Sequence, residues 1–203
     1  MKVIGLTGRS GSGKSTLAYA LGKLGAVILD GDRIAAELML PGSRILHRVI
    51  DAFGYDYLTP DGHLDRKSLG KLVFSDEGAL KRLNSIVHPA FRERIAAILE
   101  DLRRSDRKPA LAVLDAAVLY EAGLDSLCDM VVAVMCEEAT MTDRVSRREG
   151  ISKEAALARI TAQRTSRSDH ELLTKADIVV LSRRDAREMD AWAERIVRIA
   201  GGS

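Results

Sequence analysis

Two rhythms alternate along the chain. Dense apolar stretches of four to six residues give way to longer segments in which apolar residues return every three or four positions. The dense stretches, 2–7, 26–29, 110–114, 130–135 and 178–181, read as strands. Those made almost wholly of Val, Ile, Leu, Ala and Met read as strands covered on both faces. The longer segments predict helices over 14–24, 31–40, 42–53, 66–74, 76–101, 138–148, 152–166 and 185–200. This alternation predicts an α/β fold with a five-stranded parallel sheet flanked by crossover helices. About 80 residues separate the second strand from the third, and none of them shows a strand pattern, so a helical subdomain is expected there. Breaks fall at Pro41-Gly42, Thr59-Pro60-Asp61-Gly62 and Lys108-Pro109. The flanks of Asp61-Gly62 alternate only briefly, which predicts a loop or a one-turn ribbon.

Composition narrows the class. At 203 residues the chain has room for one domain with an inserted lid. Apolar residues make up 46% and charged residues 30%, which excludes a disordered chain. The net charge of +2 offers no general attraction to nucleic acid or to an anionic membrane. The longest apolar run, Met130 to Cys136, falls far short of the about 20 residues that span a bilayer. The chain opens on a strand and not on a secretory pattern, so a soluble cytoplasmic protein is expected, as a monomer or small homo-oligomer. The two cysteines, Cys128 and Cys136, sit beside an apolar run and predict buried thiols, not a disulfide or a metal pair.

The sharpest chemical feature is Gly8-Arg9-Ser10-Gly11-Ser12-Gly13-Lys14-Ser15-Thr16, which satisfies G-x-x-x-x-G-K-[ST] between a strand and a helix. Glycines at 8, 11 and 13 let the backbone curl so that its N–H groups face phosphate oxygens, and the helix N-terminus adds positive potential there. Gly8, Gly11, Ser12, Gly13, Lys14, Ser15 and Thr16 are thus the candidate nucleotide-binding residues. Lys14 would reach the β- and γ-phosphates of ATP, and the Ser15 hydroxyl would face Mg²⁺. Such a loop serves kinases, GTPases and other nucleotide binders alike. Thr174-Lys175-Ala176-Asp177 imitates a guanine-reading motif and Asp51-Ala52-Phe53-Gly54 a γ-phosphate sensor. The first precedes its strand and the second follows a helix pattern, so both stand in the wrong context for a GTPase.

Carboxylates follow two strands. Ligands of open parallel sheets sit beyond the carboxyl ends of the strands. Asp30 and Asp32, after the second strand, would lie near the phosphate loop if that strand neighbours the first. Two residues apart, one could cap the next helix while the other enters the cleft, and Asp32 is the candidate that orients an acceptor hydroxyl and takes its proton. Asp115, after the third strand, stands where a Walker-B-type acid reaches the Mg²⁺ shell, so Ser15 and Asp115 are the candidate metal residues. Glu121 ends an apolar stretch and, if buried near the site, needs a partner. Between 144 and 167 seven Lys and Arg face two Glu, a local excess that suits a small polyanion. A break at Glu149-Gly150 and a cap at Ser152 suggest a helical hairpin that closes over a triphosphate as a lid. Arg144 and Arg148, four apart on one helix face, are its best candidates for neutralising transition-state charge.

The ordered set of motifs resembles the dephospho-coenzyme A kinase family over nearly the whole chain. Gly5-Leu6-Thr7-Gly8 with the phosphate loop, Asp30-Gly31-Asp32 with Ala35, Phe53-Gly54, Asp61-Gly62, Leu64-Asp65-Arg66, Leu69-Gly70 and Val73-Phe74 come in the family's order. So do Leu83-Asn84, Ile86, His88-Pro89, Glu121-Ala122-Gly123-Leu124, Arg144, Arg148, Gln163 and Ala176-Asp177. The resemblance implies a P-loop NTPase-type core over 1–40, 104–137 and 168–203, a helical acceptor-binding insertion over 41–103 and a lid over 138–167. It implies transfer of the ATP γ-phosphoryl group, with Mg²⁺, to the ribose 3′-hydroxyl of dephospho-CoA. Asp32 matches the catalytic acid, Arg144 and Arg148 fall in the lid, and Arg66, His88 and Arg92 fall on the acceptor side, where Glu121 is placed as well. His88-Pro89 reads as a helix start. Three departures stand out: Arg9-Ser10 for Gly-Ile, Ala117-Val118-Leu119-Tyr120-Glu121 for Pro-Leu-Leu-Phe-Glu, and Ser182-Arg183-Arg184 for Asn-x-Gly near the expected adenine. Arg9 could point outward or add a phosphate contact. Trp192, the only Trp, reads as packing on the last helix. A nucleoside or other small-molecule kinase is the alternative within the same fold.

Overall fold

A computed structural model describes residues 1–166, 169–183 and 187–201. Arg167 and Arg184 lie outside the described residues, as do the side chains of Gln163 and Arg164. Five strands, β1 (Lys2–Thr7), β2 (Val27–Asp30), β3 (Leu111–Asp115), β4 (Met130–Met135) and β5 (Ile178–Leu181), form one sheet in the order β2-β3-β1-β4-β5. Every neighbouring pair is parallel. The second strand therefore does not neighbour the first, because β3 lies between them. Nothing in local patterning marks which strand occupies the middle.

Period-two alternation assigns each strand residue a side. Ile4, Leu6, Leu111 and Val113 face one core, closed by α1 (Lys14–Lys23) and α9 (Arg187–Gly201). Val3, Ala112 and Leu114 face another, closed by α5 (Glu77–Arg104) through Phe91, Ile95 and Leu99. Leu99 is 1% exposed, so its burial contributes roughly 2 kcal/mol. Trp192 packs against the first core and carries Arg195 over its ring, a structural use as expected.

Two aspartates close the sheet at its amino end. Asp129 accepts from the N–H of Val3, and Asp177 from that of Val131, each at 2.7 Å. Asp177 thus lies at the end of the sheet opposite the phosphate loop, and Asp51–Gly54 runs off the end of α3 (Arg44–Phe53). Neither guanine-like motif lines the phosphate cleft.

The 80-residue gap is helical, as its pattern implied. It holds α2 (Gly31–Glu37), α3, α4 (Arg66–Ser75) and α5, with α3, α4 and the first half of α5 packed around Val49, Leu69, Val73 and Ile86. Asp30, Ser43, Asp65 and Asp76 cap α2 to α5 in turn. A single bridge, Leu58 to Leu64, makes the one-turn ribbon around Asp61-Gly62. His88-Pro89 is not a helix start: α5 runs through Pro89 for 28 residues. Proline there forfeits one intrahelical bond, which the packing of both flanks outweighs.

The hairpin of α6 (Glu138–Glu149) and α7 (Lys153–Ser166) has its own small core of Met141, Val145, Ala156 and Ile160. Gly150 in the left-handed region ends α6, and the Ser152 hydroxyl accepts from Ala155 N–H in the first turn of α7. A short helix, α8 (Asp169–Lys175), precedes β5, where the periodicity predicted no element. Both cysteines are half-buried and unbridged. Burial pushes the Cys128 thiol up to about 12, which keeps it protonated and unreactive.

Candidate active site

The carboxyl ends of β1, β2 and β3 open onto a cleft of about 510 Å³. Its floor is the turn between β1 and α1. Gly8 has φ 145°, and a Cβ there would stand 2.4 Å from the Val134 carbonyl oxygen, so only glycine lets the loop pass β4. Gly13 has φ 105° and is the N-cap of α1 with no side-chain acceptor. No acidic residue follows in the first turn, so the positive end of α1 is left for an anion. Gly11, Gly13, Lys14, Ser15 and Thr16 line the cleft, as do Arg9 and Ser10. Gly8 and Ser12 do not. Ser12 is 1% exposed, and its N–H donates to the Arg9 carbonyl, so it shapes the loop from beneath. Arg9 is buried, not turned to solvent.

Three carboxylates face this floor: Asp30, Asp32 and Asp115. β2 and β3 each run one residue further than their apolar patterns suggest. Asp30 and Asp115 are therefore both last in their strands and lie opposite each other in register. The two candidate roles after β2 separate cleanly. Asp30 accepts from Arg33 N–H at 3.0 Å and caps α2, whereas Asp32 sits in the first turn of that helix and lines the cleft. The intervening Gly31 allows the close approach: a Cβ there would be 2.8 Å from the Asp115 carbonyl oxygen and 3.0 Å from Ala116 Cβ. Gly31→Ala is expected to push the start of α2 off β3 at a cost of about 1–3 kcal/mol, and to lower activity by moving Asp32. Chemical unfolding and turnover check this; an unchanged midpoint would show that α2 can slide freely.

Burial raises the Asp115 carboxyl above its ordinary range. The charge of Lys14 opposes the shift, Asp32 and Asp30 add to it, and a hydrogen bond from Ser15 opposes it. A group raised on folding adds stability below its unfolded pKa and loses it as pH rises through its folded pKa. At neutral pH without ligand, ionised Asp115 is thus a burden. Asp115→Asn is expected to unfold at a higher temperature than the unchanged chain at pH 7, the gap closing below about pH 4. Thermal unfolding across pH reads this, and a lower unfolding temperature at pH 7 would refute it. The same pairing fits a hard cation: a desolvated carboxylate crowded by two others and bonded to a hydroxyl. Among the described residues no cluster of three or more His, Cys, Asp or Glu encloses a metal.

The opposite wall is basic. Arg144 donates to the Gly11 carbonyl at 3.1 Å, the Ser182 hydroxyl at 3.1 Å and the Arg183 carbonyl at 2.7 Å. Its guanidinium thus ties the phosphate loop to the segment after β5, a role that charge counting did not suggest. Arg148, Arg159 and Arg183 line the cleft beside it. Arg159 belongs to the basic segment, and its facing depends on how α7 packs on α6, which the sequence does not record.

Four acceptor-side candidates lie elsewhere. Arg66 donates to the Ala36 carbonyl at 3.4 Å, linking α4 to α2. His88 Nδ1 donates to the Glu121 carbonyl at 3.1 Å, and Arg92 donates to the Gly123 carbonyl and to Ser126 Oγ. Burial holds the His88 imidazole below its usual range, so Nδ1 keeps its proton for that carbonyl as neutral histidine. Arg66, His88, Arg92 and Glu121 do not line the phosphate cleft; His88 and Arg92 moor the segment after β3 to α5.

Comparison with known proteins agrees with this geometry. Residues 2–188 match the family described as "CoaE: Dephospho-CoA kinase". The dephospho-CoA kinase of Geobacter sulfurreducens is 39% identical over 97% of both chains, and that of Streptomyces avermitilis 40% identical over 98% of this chain and 96% of its own. The crystal structure of TT1252 from Thermus thermophilus superposes with a TM-score of 0.76 at 30% identity, covering 100% of this chain and 98% of that one. With a phosphate-binding loop, a convergent acid trio and a match that spans both the sheet and its helical insertion, the chain belongs to the dephospho-CoA kinase family.

Proposed function

We propose that this chain transfers the γ-phosphoryl group of ATP to the ribose 3′-hydroxyl of dephospho-CoA, with Asp32 acting on that hydroxyl. The carrying observation is that Asp32 lines the same cleft as Lys14 while Asp30, and not Asp32, caps α2. The backbone of the phosphate loop and the positive end of α1 hold the ATP phosphates. Lys14 lies against the β- and γ-phosphates and stabilises charge as the phosphoryl group moves. Asp32 orients the acceptor hydroxyl in line with the transferred group and takes its proton. Ser15 and Asp115 are the residues that would hold Mg²⁺, which would offset phosphate charge there.

Arg144 keeps the loop and the segment after β5 together, while Arg148 and Arg159 face the phosphates from the lid over 138–167. The insertion over 41–103 carries the rest of the acceptor, with Arg66 on its surface and with His88, Arg92 and Glu121 fixing its junction with the core. An assay of ADP release with and without dephospho-CoA tests the reading. Release that depends on dephospho-CoA is expected; turnover only with a nucleoside acceptor would overturn it.

A further inference from the structure

The lid hairpin carries a carboxylate that the reaction above does not use. Glu149, the last residue of α6, accepts from Arg148 Nη2 at 2.8 Å on one oxygen and from Arg159 Nη1, on α7, on the other. Its side chain is 23% exposed, against 59% for Arg148 and 50% for Arg159, so the acid lies inside and the guanidiniums outside. Both arginines line the phosphate cleft.

Two cations from different helices repel one another as they converge, and long exposed side chains sample many rotamers. A carboxylate between them offsets the first effect and limits the second. Each guanidinium has five N–H donors and gives one to Glu149 in this arrangement, so the others stay open to a phosphate. The hairpin does not need Glu149 to hold together. Met141, Val145, Ala156 and Ile160 pack between the helices, and Lys153 meets Asp143 at 2.7 Å as a separate link.

We propose that Glu149 is a positioning residue for phosphoryl transfer, which aims Arg148 and Arg159 together at the γ-phosphate. The inference rests on the reading that the lid arginines neutralise the moving phosphoryl group. The test compares E149Q, R159A and the double variant in turnover of ATP with dephospho-CoA, alongside thermal unfolding. E149Q is expected to lose roughly tenfold in kcat without unfolding earlier, because small misplacement of charge costs rate. R159A should lose at least as much, and the double variant less than the product of the two losses, since part of the E149Q loss runs through the Arg159 guanidinium. Wild-type kcat in E149Q, or losses that multiply, would overturn the proposal. A merely structural role would lower the unfolding temperature and leave the losses multiplicative. If R159A is impaired and E149Q is not, this inference alone falls. If neither R148A nor R159A changes kcat, the reading of the lid falls first and takes this with it.

Discussion

Asp32→Asn is expected to retain ATP binding and to lose most phosphoryl transfer. The expected loss is on the order of 10²–10⁴-fold in kcat, the usual contribution of a positioned general base. Asparagine keeps the shape and can still accept a hydrogen bond, but it takes no proton. The structure makes this substitution clean in a way the sequence alone does not. Asp30 caps α2, so removing the Asp32 charge leaves that cap bond in place. Single-turnover kinetics and an ATP-analogue titration on the same preparation separate the two functions. Turnover close to that of the unchanged chain would move the general-base role to Asp30 or Asp115, which share the cleft.

Lys14→Ala is expected to lower kcat/KM by roughly 10²-fold or more, the scale of removing one electrostatic donor from a developing charge. It also removes the cation that opposes the rise of the Asp115 carboxyl. The variant should therefore bind divalent metal and nucleotide less well as a pair, not only react more slowly. Isothermal titration with ATP, with and without Mg²⁺, and steady-state kinetics check both parts. A variant with unimpaired kcat/KM would remove Lys14 from the phosphates.

The phosphate loop was legible because its chemistry is local. Glycines, lysine and serine sit at set spacings between a strand and a helix, and no distant residue is needed to read them. The helical insertion was legible as a long interval without strand patterning. Strand order was not, since β3 enters between β2 and β1 through pairing that no local periodicity records. The continuation of α5 through Pro89 ran against a local rule, because burial of Ile86, Phe91 and Ile95 on both sides of the proline outweighs one lost backbone bond. The candidate residues divide according to their setting. Asp115 ends β3 and Asp32 sits in the first turn of α2 just past β2, and both reach the cleft. His88 and Arg92 lie on one long helix whose facing is set by the loop it touches, and they bond to Glu121 and Gly123 carbonyls instead. The pairing of Arg159 with Glu149 is not legible in the sequence, because a charge run gives no direction to its side chains.

The central place of β3 has a consequence for how the chain matures. As the polypeptide leaves the ribosome, β1, the glycine turn, α1 and β2 emerge before the strand that must join them, which lies about 80 residues further on. Until residues 111–115 slot in, the two earlier strands have no shared ladder, and the turn has no rigid base. Nucleotide can therefore stabilise only chains already made past that point, since ligand raises stability only where a folded site exists to bind it. Until then the open strand edges of the nascent amino-terminal half are exposed to pairing with other chains.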